Sequence, residues 1–556
     1  MENYEEFLSR AEKHQLAKYL WKSGWKHEYL PLFSVDKLSI LDLSDIVKFY
    51  IPYWLERKHE SSTLHTISSP LAHLCPILQE YFLTRPDYDL LDVKEKVYAP
   101  NYCYGFSRHA ESIAMFGRMA KSTNNDTFTS RSRFNWATNN MAVDYLFLGD
   151  FHSGRTLSKL VYSNLLNEFH ESFFNMEGNK RPYDIKFIDE LLTSDQFPKE
   201  MLVLPKPGTI EVKSLPLTNS TLSPPRNIVR FEDRKTTVIR LINVLQDTMG
   251  LWRFLNNDFI VYDCGQYTML DNYANLLAED KPIPLRQFNH GIFITCFMNN
   301  YYHWLVEGMG RIALLIRNGF FNEFPDAVLV TYKANRYITE ALALIKFPED
   351  RIIYVDIDKE KVFFKVLHMP IFDLWQFEDE RLNNGVNSVA QHVPTCHVTE
   401  ILNKLYNPQP LPLKERKKII YVGRANQTAR KTFFDAQLNA RMRAIFGNDY
   451  YSLQSASVAE QSRIFSQARV IFGPHGAALS NIIFAAPNQT AVIEFPVDTI
   501  QFDFFYPHLA SCLGMYYWTL PSMLGLHKGN YDSSPQHLED VINAVVSAAE
   551  FMKTKE

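Results

Sequence analysis

AEQSRIFSQARVIFGPHGAALSNIIFAAPNQTAVIEF, residues 459–495, contains a helix, two strands and the turn between them. Val458–Gln467 has helical spacing. ARVIFG (468–473) and TAVIEF (490–495) are short apolar runs rich in β-branched residues, the texture of strands buried on both faces. The second strand follows the first through Gly473-Pro474-His475-Gly476 and the apolar helix SNIIFAA. A strand, a crossover and a second strand of this kind make a parallel βαβ unit.

The same alternation extends outward in both directions. GIFITCF (291–297), AVLVTY (327–332), RIIYVD (351–356) and KIIYVG (418–423) read as strands. Tyr302–Arg317, Arg336–Ile345 and Asp435–Phe446 read as the helices between them. A Pro-containing stretch at Asn407–Leu413 separates two such sets. The expected α/β architecture is therefore two Rossmann-like lobes with a cleft between them, residues 200–410 and 411–530, and a C-terminal helix over 531–556. Ligands of such sheets sit at the carboxyl ends of the strands. Leu204–Pro225 carries Pro205, Pro207, Pro216, Pro224 and Pro225 and reads as a linker. Residues 1–190 form a mainly helical N-terminal extension, with amphipathic stretches at Glu5–Trp25 and Leu38–Leu55, a polar loop at Lys121–Ser132 and a short strand at Asp144–Gly149.

Composition narrows the function. The chain has 556 residues with Lys+Arg 58 against Asp+Glu 62, a net charge of −4, so no basic footprint for nucleic acid exists at whole-chain level. No run is apolar enough to span a bilayer, although the amphipathic N-terminal stretch leaves room for peripheral membrane contact. The N-terminus lacks the basic and apolar regions of a secretory signal, which makes a cytoplasmic location the default expectation and gives the sequons at Asn125, Asn219, Asn426 and Asn488 little weight. Six scattered cysteines form no C-x-x-C pair, so neither a structural zinc site nor a redox pair is expected.

Four segments carry candidate chemistry. Asn299-Asn300-Tyr301-Tyr302-His303-Trp304-Leu305-Val306-Glu307 follows the strand at 291–297, where a substrate would sit. His303 and Glu307 are four residues apart, so imidazole and carboxylate share one helix face and can take a proton from a sugar hydroxyl. Arg311 is a turn further along; the plainer reading pairs it with Glu307. Gly473-Pro474-His475-Gly476-Ala477-Ala478-Leu479-Ser480-Asn481 offers small residues, a helix N-terminus and a histidine to a phosphate group. The pattern is neither Walker A nor G-x-G-x-x-G, so ATP and NAD are not implied. Lys414–Lys431 places Arg424 just past a strand, with Arg430 and Lys431 in the following loop, where guanidinium groups suit pyrophosphate. Glu494 ends the strand AVIE, a position from which an acid accepts from ribose hydroxyls or pairs with a neighbouring Arg. Asp356-Ile357-Asp358 has the D-x-D form of metal-dependent sugar transferases, but so short a pattern recurs by chance, and no metal site is assigned. The acids of 377–381 read as a solvated face.

Taken in order, NNYYHWLVEGMGRIALL, YVGR and the 459–495 stretch resemble glycosyltransferase family 61 over about residues 200–530. The resemblance implies a GT-B fold, a nucleotide-sugar donor and an inverting, metal-independent transfer with no cofactor. It places Asn300, Tyr301, His303, Trp304, Glu307 and Arg311 on the acceptor side or in the cleft. Arg424, Arg430, Gly473, Pro474, His475, Gly476, Ala477, Ala478, Leu479, Asn481 and Glu494 fall on the donor side, and Gln461 matches the glutamine before the glycine turn. One departure stands out. Where many members carry Asn-Glu after the arginines, this chain has Phe434-Asp435.

The expected function is then transfer of a sugar from a nucleotide-sugar donor, expected to be UDP-linked, to a hydroxyl of a glycan, glycolipid or glycoprotein. Glu307 is the first candidate base and His303 the second. The rival readings are a non-catalytic nucleotide-sugar binding module, a bifunctional chain with a second enzyme in residues 1–190, and a nucleotide-sugar epimerase.

Overall fold

The structure is a computed structural model. It describes residues 285–556 with short gaps, the helices Leu74–Thr84 and His109–Ser122, isolated helical positions between 96 and 160, and strands between 185 and 262. The amphipathic stretches at 5–25 and 38–55 and the D-x-D residues Asp356 and Asp358 lie outside the described residues, as does 144–149 apart from Tyr145, which is helical.

Ten strands and seven helices position the site. The strands are β1 (Thr236–Thr248), β2 (Leu285–Phe293), β3 (Val328–Tyr332), β4 (Ile352–Val355), β5 (Lys361–Phe372), β6 (Lys418–Tyr421), β7 (Tyr450–Ser452), β8 (Ala468–Pro474), β9 (Ala491–Phe495) and β10 (Tyr516–Thr519). The helices are α1 (Met309–Arg317), α2 (Arg336–Leu344), α3 (Cys396–Tyr406), α4 (Asp435–Phe446), α5 (Val458–Phe465), α6 (Phe505–Cys512) and α7 (Pro535–Lys553). Each strand and helix expected between 327 and 495 appears within a few residues of its expected limits. The alternation of local pattern was sufficient to locate them.

β7-β6-β8-β9-β10 form a five-stranded, wholly parallel sheet. Period-2 alternation sorts its side chains onto two faces. Ile419, Tyr421, Val470, Phe472, Ile493, Phe495 and Trp518 pack with α4 and α7. Ile420, Val422, Ile471, Val492 and Tyr517 face α5, α6 and the 3₁₀ helix Ala477–Phe484. β8 and β9 are buried at every position, as expected of parallel strands covered on both sides. Chain order runs outward from β6 to β7 and then returns across β6 to β8. The boundary between β6 and β8 is therefore the topological switch point, where such sheets open a crevice for ligands.

The other large sheet is mixed. β5, β2, β3 and β4 run parallel, and β1 pairs antiparallel with β5 along most of its length. β1 and Leu251–Phe254, Ile260–Tyr262, Leu202–Leu204 and Ile185–Phe187 complete nine strands. This antiparallel half was not part of the expected βαβ pattern. The proline-rich segment at 204–225 is also not simply a linker, because Thr209–Glu211 pairs with Ile228–Glu232 in a separate four-stranded sheet. That sheet includes Trp375–Asp379, so the acids Glu378 and Asp379 lie on a strand.

One apolar cluster joins the two large sheets. Ile292, Trp304, Ile312 and Leu329 from the first side pack with Ile471, Ile482, Tyr506 and Leu509 from the second. Polar contacts cross the same junction. Asn403 of α3 donates to Ile483 O (2.7 Å) and Ala485 O (2.9 Å). Glu340 of α2 accepts from the first amide of α5, Val458 N, at 2.8 Å, and Ser457 caps the same helix through Glu460 N. An acid at a helix N-terminus satisfies an otherwise orphaned donor and complements the helix dipole. A disulfide, Cys396–Cys512, ties the start of α3 to the end of α6. No sequence spacing announced this pair. No described helix is long and apolar enough to cross a membrane.

Candidate active site

The segment after β2 enters a π-helical turn, His303–Gly308, before α1 continues as a regular helix. Asn300 starts it, its Oδ1 accepting from Tyr302 N at 2.9 Å. π-Turns within helices recur at functional sites, and this one carries the His303–Glu307 pair. His303 Nδ1 lies 2.8 Å from Glu307 Oε2, with the imidazole 18% exposed and the carboxylate fully buried. Glu307 Oε1 has no hydrogen-bond partner among the described residues. The carboxylate thus holds the ring from behind, and the ring is the part that reaches solvent.

The rest of this segment builds the junction. Trp304 is completely buried in the shared core. Tyr301 donates to Asn481 Oδ1 at 2.7 Å, and Asn481 donates to Gln461 Oε1 at 2.7 Å. Burial raises the Tyr301 pKa, with Glu340 adding to the effect, so its phenol stays a donor. Arg311 turns toward β5. Its Nε donates to Pro370 O at 3.1 Å and its guanidinium lies 5.0 Å from the centre of Phe372. Both contacts draw the Arg311 side chain toward β5.

On the second side, the chain leaves β6 through Val422 and Gly423 to Arg424, and leaves β8 through Pro474 to His475 and Gly476. These two strand ends flank the switch point. Gly473 has φ +156°, and a Cβ there would lie 2.5 Å from Val422 O. A side chain at Gly476 would run into the Arg424 guanidinium. The two glycines thus let the turn pass directly over the neighbouring strand end and under the arginine. Replacing Gly473 by Ala is expected to destabilise the protein by about 1–3 kcal/mol through overpacking and backbone strain. Denaturant unfolding of the variant checks this.

Ala477 and Ala478 open the 3₁₀ helix at the crevice, whereas Leu479 and Asn481 point into the core and are fully buried. Arg430 sits in a left-handed backbone conformation, φ +58°, and its Nε is buried with no hydrogen-bond partner among the described residues. Arg424 is held below the usual arginine range, first by burial and then by the charge of Arg430. Two guanidinium groups close enough to perturb one another form an electropositive pocket suited to a polyanion.

Asp435 organises the arginine loop. Its Oδ1 accepts from both Tyr421 and Thr432, and Tyr421 and Thr432 are themselves 3.1 Å apart. At the position where the sequence departs from the family pattern, the acid is engaged in anchoring the loop to β6.

His475 is fixed on several sides. Its backbone N–H donates to Phe495 O (3.0 Å) and Tyr531 OH (3.1 Å), and its Nδ1 meets Glu494 Oε1. Glu494 Oε2 accepts from Tyr517. Both carboxylate oxygens are therefore engaged within the protein. Tyr506 donates to Gly476 O at 2.6 Å and packs on His475. On its other side, Tyr506 and Phe505 pack edge-on against Tyr302, and Phe505 also faces His303. The aromatic wall of α6 and Tyr302 thus separates the two histidines. Sequence reasoning missed Tyr506, Tyr517 and Tyr531; the only local signal was the aromatic texture of YYWT at 516–519. Among the described residues, the one group of three clustered metal-ligating side chains is Cys396, His508 and Cys512, two of which form the disulfide.

No curated protein matches the chain. Residues 301–493 match the family model described as Glycosyltransferase 61. The matched segment runs from the Tyr301 turn to β9, so it contains His303, Glu307, Arg424 and the glycine turn. The match supports a glycosyltransferase family 61 domain within the chain and, through it, a glycosyltransferase enzyme.

Proposed function

We propose that the protein is an inverting transferase of GT-B architecture. It moves a sugar from a nucleoside-diphosphate sugar, UDP-linked in this reading, to a hydroxyl of a glycan, glycolipid or glycoprotein, with no metal. The observation that carries the proposal is the opposition of two prepared groups across one aromatic wall. A carboxylate-backed imidazole, His303, stands on one side. The arginine pair and glycine turn stand on the other, at the switch point of the parallel sheet.

In this reading the acceptor lies on the His303 side. Glu307 is too deeply buried to meet a substrate and accepts from Nδ1, leaving Nε2 to take the acceptor proton. The acceptor oxygen attacks the anomeric carbon from the face opposite the diphosphate, which inverts the configuration. Charge then grows on the leaving diphosphate. Arg424, Arg430 and the amides that open the 3₁₀ helix neutralise it. This arrangement reverses the order of candidates drawn from sequence, with His303 as the base and Glu307 as its support.

His303→Ala is expected to lower kcat by about 10²–10⁴-fold with the donor KM little changed, because a general base acts in the transition state. Glu307→Gln should cost less, since the amide still accepts from Nδ1. Product analysis with a UDP-sugar panel, in the presence of EDTA, tests the whole scheme. Full turnover by His303→Ala would remove His303 as base. Nucleotide-sugar binding that is unchanged in Glu307→Gln, without acceptor-dependent transfer in the wild type, would favour the binding-module reading.

A further inference from the structure

His508 and Cys512 are four residues apart on α6, so imidazole and sulfur share one helix face. Cys396, the first residue of α3, meets them from the facing helix. All three are buried: His508 is 1% exposed, Cys396 4% and Cys512 7%. A disulfide needs only the two sulfurs, yet the imidazole brings both ring nitrogens to Cys512 Sγ, Nε2 at 3.5 Å and Nδ1 at 3.8 Å. We propose that Cys396, His508 and Cys512 form a metal site of the reduced protein, which takes zinc, a divalent ion suited to thiolate and imidazole, in place of the disulfide.

Distances carry the argument. One ligand atom from each of the three side chains lies within 4.8 Å of the other two. Tetrahedral zinc holds sulfur at about 2.3 Å and imidazole nitrogen at about 2.0–2.1 Å, which sets that sulfur and nitrogen about 3.5 Å apart. His508 Nε2 and Cys512 Sγ already have this separation. Two zinc-bound sulfurs lie about 3.8 Å apart, and two bonded sulfurs about 2.05 Å apart. Breaking the disulfide has to part the sulfurs by only about 1.7 Å, a shift within reach of side-chain torsions.

Charge and ligand type agree. Two thiolates, a neutral imidazole and Zn²⁺ sum to zero, the charge that burial penalises least. Magnesium and calcium prefer oxygen ligands, and these three side chains offer none. In this arrangement Nε2 ligates and Nδ1 remains a donor, as in other zinc-bound histidines. Three protein ligands leave one tetrahedral position for water.

The exchange balances. An external dithiol gives the S–S bond two electrons and two protons and closes its own disulfide, leaving two thiols. As the two Zn–S bonds form, zinc displaces both thiol protons to solvent. His508 contributes a lone pair and loses no proton.

The place in the fold gives the ion its role. Cys512 lies about 10 Å along α6 from Phe505, so the ion stands apart from the reacting groups and takes no part in the transfer. It holds the end of α6 to α3, and α6 begins with Phe505 and Tyr506, which pack on Tyr302 and His475. A disulfide in oxidising surroundings and zinc in reducing ones thus keep the same aromatic wall in place.

Cobalt(II) is the probe, because thiolate-bound cobalt shows a sulfur-to-metal charge-transfer band. The full chain is reduced with dithiothreitol, exchanged anaerobically into metal-free buffer, and titrated with cobalt and then zinc. Near-UV circular dichroism checks the folding of each variant. Reduced wild type should take up about one ion per chain with the band, and zinc should remove the band by replacing cobalt. Zinc should raise the denaturant midpoint of the reduced protein and not that of the oxidised one. Cys396→Ala/Cys512→Ala should show no band, although Cys75, Cys103, Cys264 and Cys296 remain. His508→Gln should bind cobalt at least about tenfold more weakly, since even losing a group that only orients a ligand costs that much. It should still form the disulfide on oxidation. His508→Cys should bind with a stronger band, from a third thiolate. A reduced wild type without the band overturns the proposal, as does a band of unchanged strength and affinity in His508→Gln. If His508→Gln does not fold, a band in His508→Cys no stronger than that of the wild type overturns it instead.

Discussion

Arg424→Ala should lower kcat/KM by about 10²–10³-fold, the usual loss when one preorganised donor to a developing charge is removed. The structure gives three reasons to expect the upper part of that range. The guanidinium is largely buried, so water does not fully replace it. It stands at the switch point between β6 and β8, directly against Gly476. Its neighbour Arg430 repels it, and an incoming diphosphate relieves that repulsion. The loss should appear in kcat as well as in KM, because charge on the diphosphate is greatest as the glycosidic bond breaks. Arg424→Lys should recover only part of the activity, since a point charge lacks the planar fork that matches phosphate. Steady-state kinetics on the three proteins decide the matter. Near-wild-type turnover by Arg424→Ala would move the diphosphate elsewhere in the fold.

The second large effect concerns the Cys396–Cys512 bond. It closes a segment with a sequence separation of 116, and a loop of that size implies about 2–5 kcal/mol of stability. The bond sits where it bears on the site. Cys512 ends α6, the helix that begins with Phe505 and Tyr506, and Cys396 begins α3, which is stapled to the 3₁₀ helix through Asn403. Cys396→Ala/Cys512→Ala should therefore unfold at lower denaturant concentration than the oxidised wild type. Reductant should shift the wild type toward the variant and leave the variant unmoved. If reductant has no effect on the wild type, the bond is not formed or does not contribute. Disulfides persist in oxidising compartments and are reduced in the cytosol, so thiol alkylation in a native extract would also report where the protein resides.

Much of the fold was legible because it is local. Parallel strands buried on both faces need unbroken apolar, β-branched runs, and β3, β4, β6, β8 and β9 each show one. Their helices show the apolar spacing that packs against a sheet. The His303–Glu307 contact was legible for the same reason, since residues four apart on a helix meet whatever surrounds them. Gly473 and Gly476 read from sequence as places where a ligand could approach the backbone; the groups the structure sets against them are Val422 O and Arg424.

Other features depend on partners far away in the chain. The pairing of β1 with β5 joins segments more than a hundred residues apart, and nothing in either segment names the other. The packing of α1 against β5 brings Arg311 to Pro370 and Phe372, partners its own segment does not name. Glu494 reads as a ligand acid at a strand tip until β10 brings Tyr517 beside it and the turn brings His475. Cys396 and Cys512 become a pair only when α3 and α6 dock. Sequence alone therefore determined the parallel sheet, the glycine turn and the chemical types available at the crevice, because these follow from short-range periodicity and backbone sterics. Tertiary structure decided which of those groups face a ligand and which are spent on one another, because that depends on which distant donors and acceptors burial brings within hydrogen-bond reach.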